Sequence, residues 1–439
     1  MRKFERKVEV QRKVFEFYAK NRELCDSNFI IAEDENIDNI YEVVADKNSK
    51  SILLAKTAIV LLTANKYERN ILHKRVYGLI AKKIKRIEIE LFTACQRFKK
   101  IYAYWFEWEG YSILNVHANV TGSYTIGGSA DIVRWILSNE YLFPKMILSF
   151  GICFGTKGEL GDVVISRKIY PYFIGAKING ENLFVVDDNA FSVNDDLYNK
   201  INNLKNNNKF EKFDFKVLFQ NYITGEAVIS SNSFRQKFVG ITTQDIYAGD
   251  MEGYGLFKES TSYPYYVPCV VIKSICDWGT EKNFDVNNEE LVSTFKESLS
   301  ANNILVNTNE EVIKILDTLK DRLQAYSANC AFDVLEVLLQ NNIMSGSILD
   351  NLRNWINNHR GVATSCRKVR EKIFEYVKLS GLGFVVSDCF VHQCIELLEK
   401  EGVIQRDLKC NLDQNRKNKC SICEVDVSIE IVSRRRENA

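Results

Sequence analysis

Residues 267–279 read VPCVVIKSICDWG, and this segment is the most informative about the architecture of the chain. Val267–Ile275 is apolar at most positions, which is typical of a strand that is buried on both faces. Asp277 follows directly, at the carboxyl end of that strand. In open α/β sheets ligands bind at this edge, so Asp277 is a candidate for chemistry.

Similar β-rich runs recur along the chain and alternate with segments compatible with helices. The sequence predicts strands at 57–64, 111–120, 145–149, 162–166 and 226–230, and helices at 66–80, 129–138 and 251–259. The alternation of strands and helices predicts an α/β domain with a mostly parallel or mixed central sheet.

Length and composition suggest two or three domains, since the chain has 439 residues. We predict a helical N-terminal extension at 1–55, a catalytic domain at 56–305, a helical linker region at 306–360 and a C-terminal domain at 361–439. The net charge of +1 gives no general attraction to nucleic acid or membrane. We find no signal peptide and no apolar segment long enough to span a bilayer, and expect a cytoplasmic protein.

The regions flanking the catalytic domain are predicted to be mainly helical. In the extension, Val8, Val14, Phe15 and Tyr18 recur at roughly helical spacing and could dock against an unidentified partner. The linker region is predicted to hold helices at 310–325, 331–340 and 347–358. The C-terminal domain has the outline of a winged helix: helices at 367–379 and 387–401, then strands at 402–406 and 425–432.

Three acidic residues stand at positions suited to cleavage of an N-glycosidic bond. Asp277 ends a strand, Glu252 opens a helix, and Glu68 follows the first strand of the α/β region. Such cleavage needs a proton donor to the leaving base, an acceptor for the sugar hydroxyls and a group that aims a nucleophile. Carboxylates can perform all three tasks.

Four motifs, in order along about 57–300, resemble the purine nucleoside phosphorylase/uridine phosphorylase superfamily. They are AIVLLTANKYE at 58–68, GICFGT at 151–156 with LGDVVIS at 160–166, DMEGYG at 250–255, and VIKSICDWG at 271–279. The resemblance implies a nucleoside phosphorylase-like three-layer α/β fold with a mixed central sheet. It also implies that the chain breaks the N-glycosidic bond of a purine nucleoside or nucleotide.

The resemblance assigns a role to each matching residue. Asp277 matches the acid that hydrogen-bonds purine N7, and Glu252 matches the acceptor for the ribose hydroxyls. Met251 would pack on the sugar, and Phe234 resembles the aromatic residue that stacks on the base. Glu68 aligns with the carboxylate that activates water in methylthioadenosine/S-adenosylhomocysteine nucleosidases. Phe234 could equally be an ordinary core aromatic.

Five further positions are predicted to line the substrate: Thr121, Gly122, Gly151, Cys153 and Cys276. Gly151, Cys153 and Cys276 stand in these motifs, whereas Thr121 and Gly122 belong to a separate glycine turn after the predicted strand at 111–120. Phosphorylases of the superfamily bind phosphate through arginines and a Ser-Gly loop, and this sequence has no clear counterpart. Hydrolysis that releases the free base is therefore favoured, and a nucleoside phosphorylase is the alternative.

Lys157 and Lys273 lie near the predicted site loops, where a cation could receive a 5′-phosphate. The alternative for both is a solvated surface or a strand end. With such a phosphate site, the resemblance implies an adenine nucleotide as substrate and a role as a toxin or antiphage defence effector. A different class is a non-catalytic nucleotide sensor, whose winged helix would bind DNA or a protein.

The C-terminal domain leaves its own alternatives open. Cys410, Cys420, Cys423 and His392 could ligate zinc, but free thiols in a hairpin are preferred, and we predict neither a metal nor a cofactor. The segment 387–401 could read nucleic acid, with Arg434–Arg436 on phosphates, or contact a regulatory protein. The resemblance further implies a homo-oligomer.

Overall fold

The computed structural model of the protein describes residues 2–33, 35–93, 98–139, 141–142, 144–172, 177–179, 182–184, 190–226, 245–261, 267–278 and 308–343, together with single positions and short pieces between 292 and 306 and between 352 and 431. The predicted strand at 226–230 and the predicted helix at 347–358 lie almost entirely outside these residues.

The described elements alternate between helices and strands through most of the chain. The helices are α1 Arg2–Lys20, α2 Arg22–Glu33, α3 Lys47–Lys56, α4 Lys66–Ile80, α5 Ser129–Ser138, α6 Asp195–Asn206, α7 Gly253–Ser260 and α8 Asn309–Gln340, with a 3-10 turn at Glu35–Ile40. The strands are β1 Tyr41–Val44, β2 Ile59–Thr63, β3 Ile84–Phe92, β4 Phe98–Trp108, β5 Tyr111–His117, β6 Met146–Gly155, β7 Val163–Pro171, β8 Lys177–Asn179, β9 Asn182–Phe184, β10 Phe191–Ser192, β11 Val217–Thr224, β12 Ile246–Asp250, β13 Cys269–Asp277, β14 Thr364–Ser365, β15 Ile404–Arg406 and β16 Ser428–Ile431.

Eleven of these strands form one mixed sheet, in the order β1-β3-β4-β5-β2-β6-β12-β11-β7-β10, with β13 joined to β6 and β7. The strands β2, β5, β6 and β13 are parallel to their neighbours in the series β5-β2-β6-β13. Because β6, β12, β11, β7 and β13 each pair with the next and β13 returns to β6, this part closes into a ring. The prediction of an α/β fold with a mixed central sheet is confirmed.

The strand β13 closes this ring, because it pairs with both β6 and β7. Its residues from Cys269 to Ile275 are buried, and Val270, Val271 and Ile272 are fully enclosed. Burial of each such aliphatic side chain stabilises the fold by about 1.5–3 kcal/mol. The near-continuous apolar run therefore predicts correctly a strand that is covered on both faces.

The helix α8 covers one face of β13 as a single element of 32 residues. It begins at a capping box, in which Thr308 and Glu311 bond each other's backbone amides. Further along, Ser327 Oγ donates to the carbonyl of Ile275 on β13 at 3.0 Å. The sequence predicts two helices here, at 310–325 and 331–340. The structure shows one continuous helix, in which Tyr326, Ser327 and Cys330 between them are buried and Asn329 is half-buried.

The N-terminal helices pack against α8. Phe15 and Tyr18 of the predicted amphipathic face are buried, and the ring of Phe17 contacts that of Tyr326 edge-on. The guanidinium of Arg322 bonds the Tyr18 hydroxyl. The partner of this amphipathic face thus lies within the same chain.

The segment 1–55 also contributes a strand that the sequence does not predict. β1, at 41–44, pairs in parallel with β3 at the edge of the large sheet. The domain boundary at 55 stays a prediction.

The C-terminal region contributes a small antiparallel sheet, in the order β14-β16-β15. β15 and β16 lie within the two predicted strands at 402–406 and 425–432. Most of the two predicted helices lies outside the described residues, and the winged helix stays a prediction. Among the described residues, no helix is both long enough and apolar enough to cross a bilayer.

Candidate active site

Several of the predicted site residues lie next to residues 151–154 of β6. In the register of the sheet, Lys273 of β13 lies opposite Gly151, and Asp277 lies opposite Phe154. On the other side, Gly249 of β12 lies opposite Phe154, so the following residue, Asp250, approaches the same stretch of β6. Carboxyl ends of strands distant in sequence therefore meet at one edge.

Glu68 reaches this edge from the first turn of α4. Asn65 caps the helix: its side chain accepts from the Glu68 amide at 3.0 Å. In return, Glu68 Oε2 accepts from the amides of Ala64 at 2.6 Å and Asn65 at 3.1 Å. This capping box fixes the carboxylate at the carboxyl end of β2.

The second oxygen of Glu68 faces the glycine turn of β6. Glu68 Oε1 accepts from the amide of Ile152 at 2.9 Å. A Cβ atom on Gly151 would lie 2.0 Å from the same oxygen, and Gly151 has φ +146°. Only glycine combines this backbone conformation with so close an approach. A carboxylate offers about four lone-pair positions, so among the described residues the three amides leave one position on Oε1.

Glu68 is only 1% exposed, and this burial raises the pKa of its carboxyl group. The ammonium of Lys273 lowers it, the carboxylate of Glu252 raises it, and the amides of Ile152 and Ala64 lower it; the net direction is upward. A carboxylate whose pKa is shifted toward neutrality is better suited to accept a proton from water than an ordinary glutamate.

Lys273 links the carboxylates of this edge. Its Nζ lies 2.6 Å from Glu252 Oε2 and 2.9 Å from Asp250 Oδ2, and the side chain is 2% exposed. Burial lowers the pKa of Lys273, but the carboxylates of Asp250, Glu252 and Glu68 more than offset it, so the pKa is raised. The lysine is therefore a buried cation surrounded by three acids.

Glu252 is held at the start of α7 by contacts with the loop that follows β5. Its Oε1 accepts from the amide of Gly122 at 3.1 Å, and its carbonyl accepts from Ser129 Oγ at 2.6 Å. The carbonyl of half-buried Met251 accepts from Ser123 Oγ at 2.9 Å. The predicted positions Gly122, Met251 and Glu252 are thereby joined, and exposed Thr121 adjoins them.

Asp277 stands at the end of β13, half-buried beside half-buried Cys276. The Cys276 thiol lies 3.6 Å from Asp277 Oδ2. Cys153 is buried, and burial raises the pKa of its thiol, with Asp277 and Asp250 contributing in the same direction. Because the thiol of Cys153 is buried and its pKa is raised, it is poorly suited to act as a nucleophile.

The two lysines predicted as phosphate ligands are both engaged with carboxylates. Lys273 is buried with Asp250 and Glu252, so the alternative of a solvated surface is wrong for it. Lys157 Nζ lies 2.6 Å from exposed Asp245. Phe234, the predicted stacking residue, lies outside the described residues, as do Cys410, Cys420, Cys423, His392 and Arg434–Arg436.

Two residues of this edge were not singled out by the sequence. Asp250 begins the quoted DMEGYG motif, yet its partner Lys273 is 23 positions away, and only the sheet brings them together. Glu226 follows β11 and accepts from the amides of Ser123 and Tyr124. No motif marked Glu226. Within the described residues, no group of three or more His, Cys, Asp or Glu side chains could hold a metal ion.

No protein-family model and no curated protein matches the chain. Its structure is similar to that of futalosine hydrolase of Helicobacter pylori strain 26695, with a TM-score of 0.44 and 12% identity, over 65% of this chain and 97% of that one. Two 5′-methylthioadenosine/S-adenosylhomocysteine nucleosidases are also similar. That of Neisseria meningitidis, in complex with methylthio-immucillin-A, has a TM-score of 0.42 and 14% identity, over 64% of this chain and 99% of that one. That of Colwellia psychrerythraea, in complex with adenine, has a TM-score of 0.42 and 16% identity, over 65% and 96%.

Two of these three neighbours carry the name of the nucleosidases with which the sequence aligns Glu68. With identities of 12–16% and TM-scores below 0.5, these similarities carry no conclusion about the chemistry of this chain. The chemistry of the edge around β6 must be judged on its own contacts.

Proposed function

We propose that the chain hydrolyses the N-glycosidic bond of a purine nucleoside and releases the free base. The observation that supports this is the arrangement of acids around residues 151–154 of β6. Glu252 contacts the Lys273 ammonium at 2.6 Å, Glu68 interacts with the same ammonium electrostatically, and Asp277 ends the strand of Lys273 four residues later. Hydrolysis needs a base for the water, an acceptor for the ribose hydroxyls and a proton donor to the purine, and the edge offers one carboxylate for each task.

In this proposal Glu68 activates the water. Its remaining lone pair on Oε1 accepts a hydrogen bond from water, and its raised pKa makes it a competent base. The water oxygen forms a bond to the anomeric carbon while one of its protons passes to Glu68. The bond between that carbon and the base nitrogen breaks, and its electron pair stays on the base.

Asp277 and Glu252 act on the two halves that separate. Asp277 supplies a proton to the purine ring as negative charge develops there, and the protons on Glu68 and Asp277 re-equilibrate with solvent after release. Glu252 accepts hydrogen bonds from the ribose hydroxyls, with Met251 against the sugar. Because Lys273 and Gly122 fix both oxygens of Glu252, its orientation is set before substrate arrives.

The substrate is proposed as a nucleoside rather than a nucleotide. Both lysines that could receive a 5′-phosphate are paired with carboxylates, which leaves the phosphate without support from them. The adenine nucleotide, the toxin or antiphage role and the nucleotide sensor remain predictions from sequence.

The test is direct. Purified protein is incubated with adenosine, inosine, methylthioadenosine and AMP, and chromatography measures the free base. We expect base release from at least one nucleoside, without added cofactor. Failure to release base from any of the four would contradict the proposal, and release from AMP alone would overturn the choice of nucleoside over nucleotide.

A further inference from the structure

We infer that Glu226 is a specificity-determining residue that keeps inorganic phosphate out of the site and so reserves the anomeric carbon for water. This inference rests on the proposed hydrolysis. It concerns the loop 121–124, in which the amides of residues 122–124 donate to the carboxylates of Glu252 and Glu226. Water and phosphate are the two nucleophiles that could cleave the glycosidic bond. The contacts of this loop determine whether phosphate can bind.

Consecutive backbone amides that point into one concavity form a natural site for an anion. In this loop the amides of Gly122, Ser123 and Tyr124 all point at carboxylates. Gly122 has φ +109°, which turns the chain so that successive amides converge. A phosphate ion would be a fitting ligand for such a turn if the amides were free.

Carboxylates of the chain already occupy all three amides. Gly122 donates to Glu252 Oε1 at 3.1 Å, and Ser123 donates to Glu226 Oε1 at 3.0 Å. Tyr124 donates to both oxygens of Glu226 at 3.2 Å. A Cβ on Gly122 would lie 3.1 Å from Glu226 Oε2, so the carboxylate fills the turn closely.

The position of Glu226 places it beside the proposed sugar site. It follows the carboxyl end of β11, which is parallel to β12, and β12 ends at Asp250. The loop is joined to the proposed sugar ligand, because Glu252 bonds Gly122. Glu226 is exposed to solvent, so its carboxylate can repel an anion that approaches the loop from solution.

The charge around the loop disfavours phosphate as well. Among the described side chains of the buried cluster, the carboxylates of Asp250, Glu252 and Glu68 face the single ammonium of Lys273. A phosphate dianion would add further negative charge against this excess. Water carries no such penalty, so the same arrangement that repels phosphate permits hydrolysis.

The experiment compares the wild-type protein with three variants. Glu226→Ala removes the carboxylate, and Glu226→Gln keeps its shape without the charge. Glu107→Ala makes the same change in net charge at an exposed position of β4, opposite Ser112 at the far end of β5. Circular dichroism verifies folding, and calorimetry measures the Kd for inorganic phosphate.

We expect no saturable phosphate binding by the wild-type protein or by Glu107→Ala. Glu226→Ala should show saturable phosphate binding, with a Kd at least about tenfold below the highest phosphate concentration at which the wild type shows none. Removal of the carboxylate frees the amides of Ser123 and Tyr124 and takes away a like charge. If Glu226→Gln gains phosphate binding as Glu226→Ala does, the charge of Glu226 excludes phosphate. If only Glu226→Ala gains binding, phosphate is excluded because the side chain occupies the amides. If Glu226→Ala fails to fold, Glu226→Gln decides alone.

Two results overturn the inference: saturable phosphate binding by the wild type, or no gain in binding by any folded Glu226 variant. The sugar product adds a second measurement. Wild-type protein should give the free sugar, and Glu226→Ala in phosphate should give some sugar 1-phosphate, with the new bond from a phosphate oxygen to the anomeric carbon. If no protein releases a base, the proposed hydrolysis fails, whereas the calorimetry still tests Glu226.

Discussion

The ammonium of Lys273 lies 2.6 Å from Oε2 of Glu252, and both side chains are buried. Charged groups are costly to remove from water, and a pair like this is held together because each charge offsets the other. The second acid on the same ammonium, Asp250, strengthens this coupling. The pair also fixes the orientation of Glu252, so stability and the proposed function depend on one contact.

Lys273→Met should be strongly destabilising, because it leaves two buried carboxylates without their cation. We expect a loss of about 3–5 kcal/mol in the free energy of unfolding, measured by urea denaturation. Lys157→Met is the matched control, since its pair with Asp245 is exposed, and its loss should stay below about 1 kcal/mol. Equal losses for the two variants would show that Lys273 is not a buried structural cation.

Asp277→Asn tests the proposed acid. The side chain is half-buried at a strand end, so the variant should fold normally. Base release should fall by roughly 10²–10⁴-fold, because asparagine cannot supply a proton to the leaving base. Full activity in the variant would remove Asp277 from the mechanism.

Asp245→Asn is the control for Asp277→Asn. It makes the same chemical change at an exposed position that immediately precedes β12. Its rate of base release should equal that of the wild type, which separates the role of Asp277 from a general effect of lost charge near the site.

The sequence predicts those parts of the fold whose signal is local. The helices 66–80 and 129–138 are observed with the predicted bounds; Asn65 caps the beginning of the first, and Gly128 directly precedes the second. The strand that ends at Asp277 is predicted from its apolar run. By contrast, β3 and β4 are not predicted: charged residues interrupt the apolar residues of both strands, and several of their side chains are exposed.

Sequence motifs identify some residues of the candidate site, whereas other residues are brought together only by the pairing of strands in the sheet. Glu68 and Glu252 stand in quoted motifs, and both lie at the edge around β6. Lys273 also stands in a motif, but its burial against Asp250 depends on the register of β13 against β6 and of β6 against β12. The sequence around Glu226 does not mark it as a site residue, because the amides that donate to its carboxylate belong to a loop more than 100 positions away.

The pH dependence of kcat/KM should report the ionisation of Glu68. A general base must be ionised to act, so activity falls as the pH drops through its pKa. Burial raises the pKa of Glu68 above the ordinary value of 4.5, and the acidic limb should therefore lie above pH 4.5. The residual activity of Glu68→Gln should lack this limb. A wild-type limb at or below pH 4.5 would contradict the assignment.

Gly151→Ala should damage both the fold and the proposed water site. The new methyl group would lie 2.0 Å from Glu68 Oε1, at the oxygen that keeps a lone pair for water, and the backbone there has φ +146°. Gly110→Ala is the matched control: Gly110 has φ +77°, but no atom lies within 4 Å of an added Cβ. It should show the cost of backbone strain alone, about 1–2 kcal/mol, with unchanged base release. Gly151→Ala should lose more stability and at least about tenfold in base release, because the carboxylate must move from its amides. Thermal denaturation and the base-release assay measure the two effects, and equal behaviour of the two variants would disprove the close contact between Gly151 and Glu68.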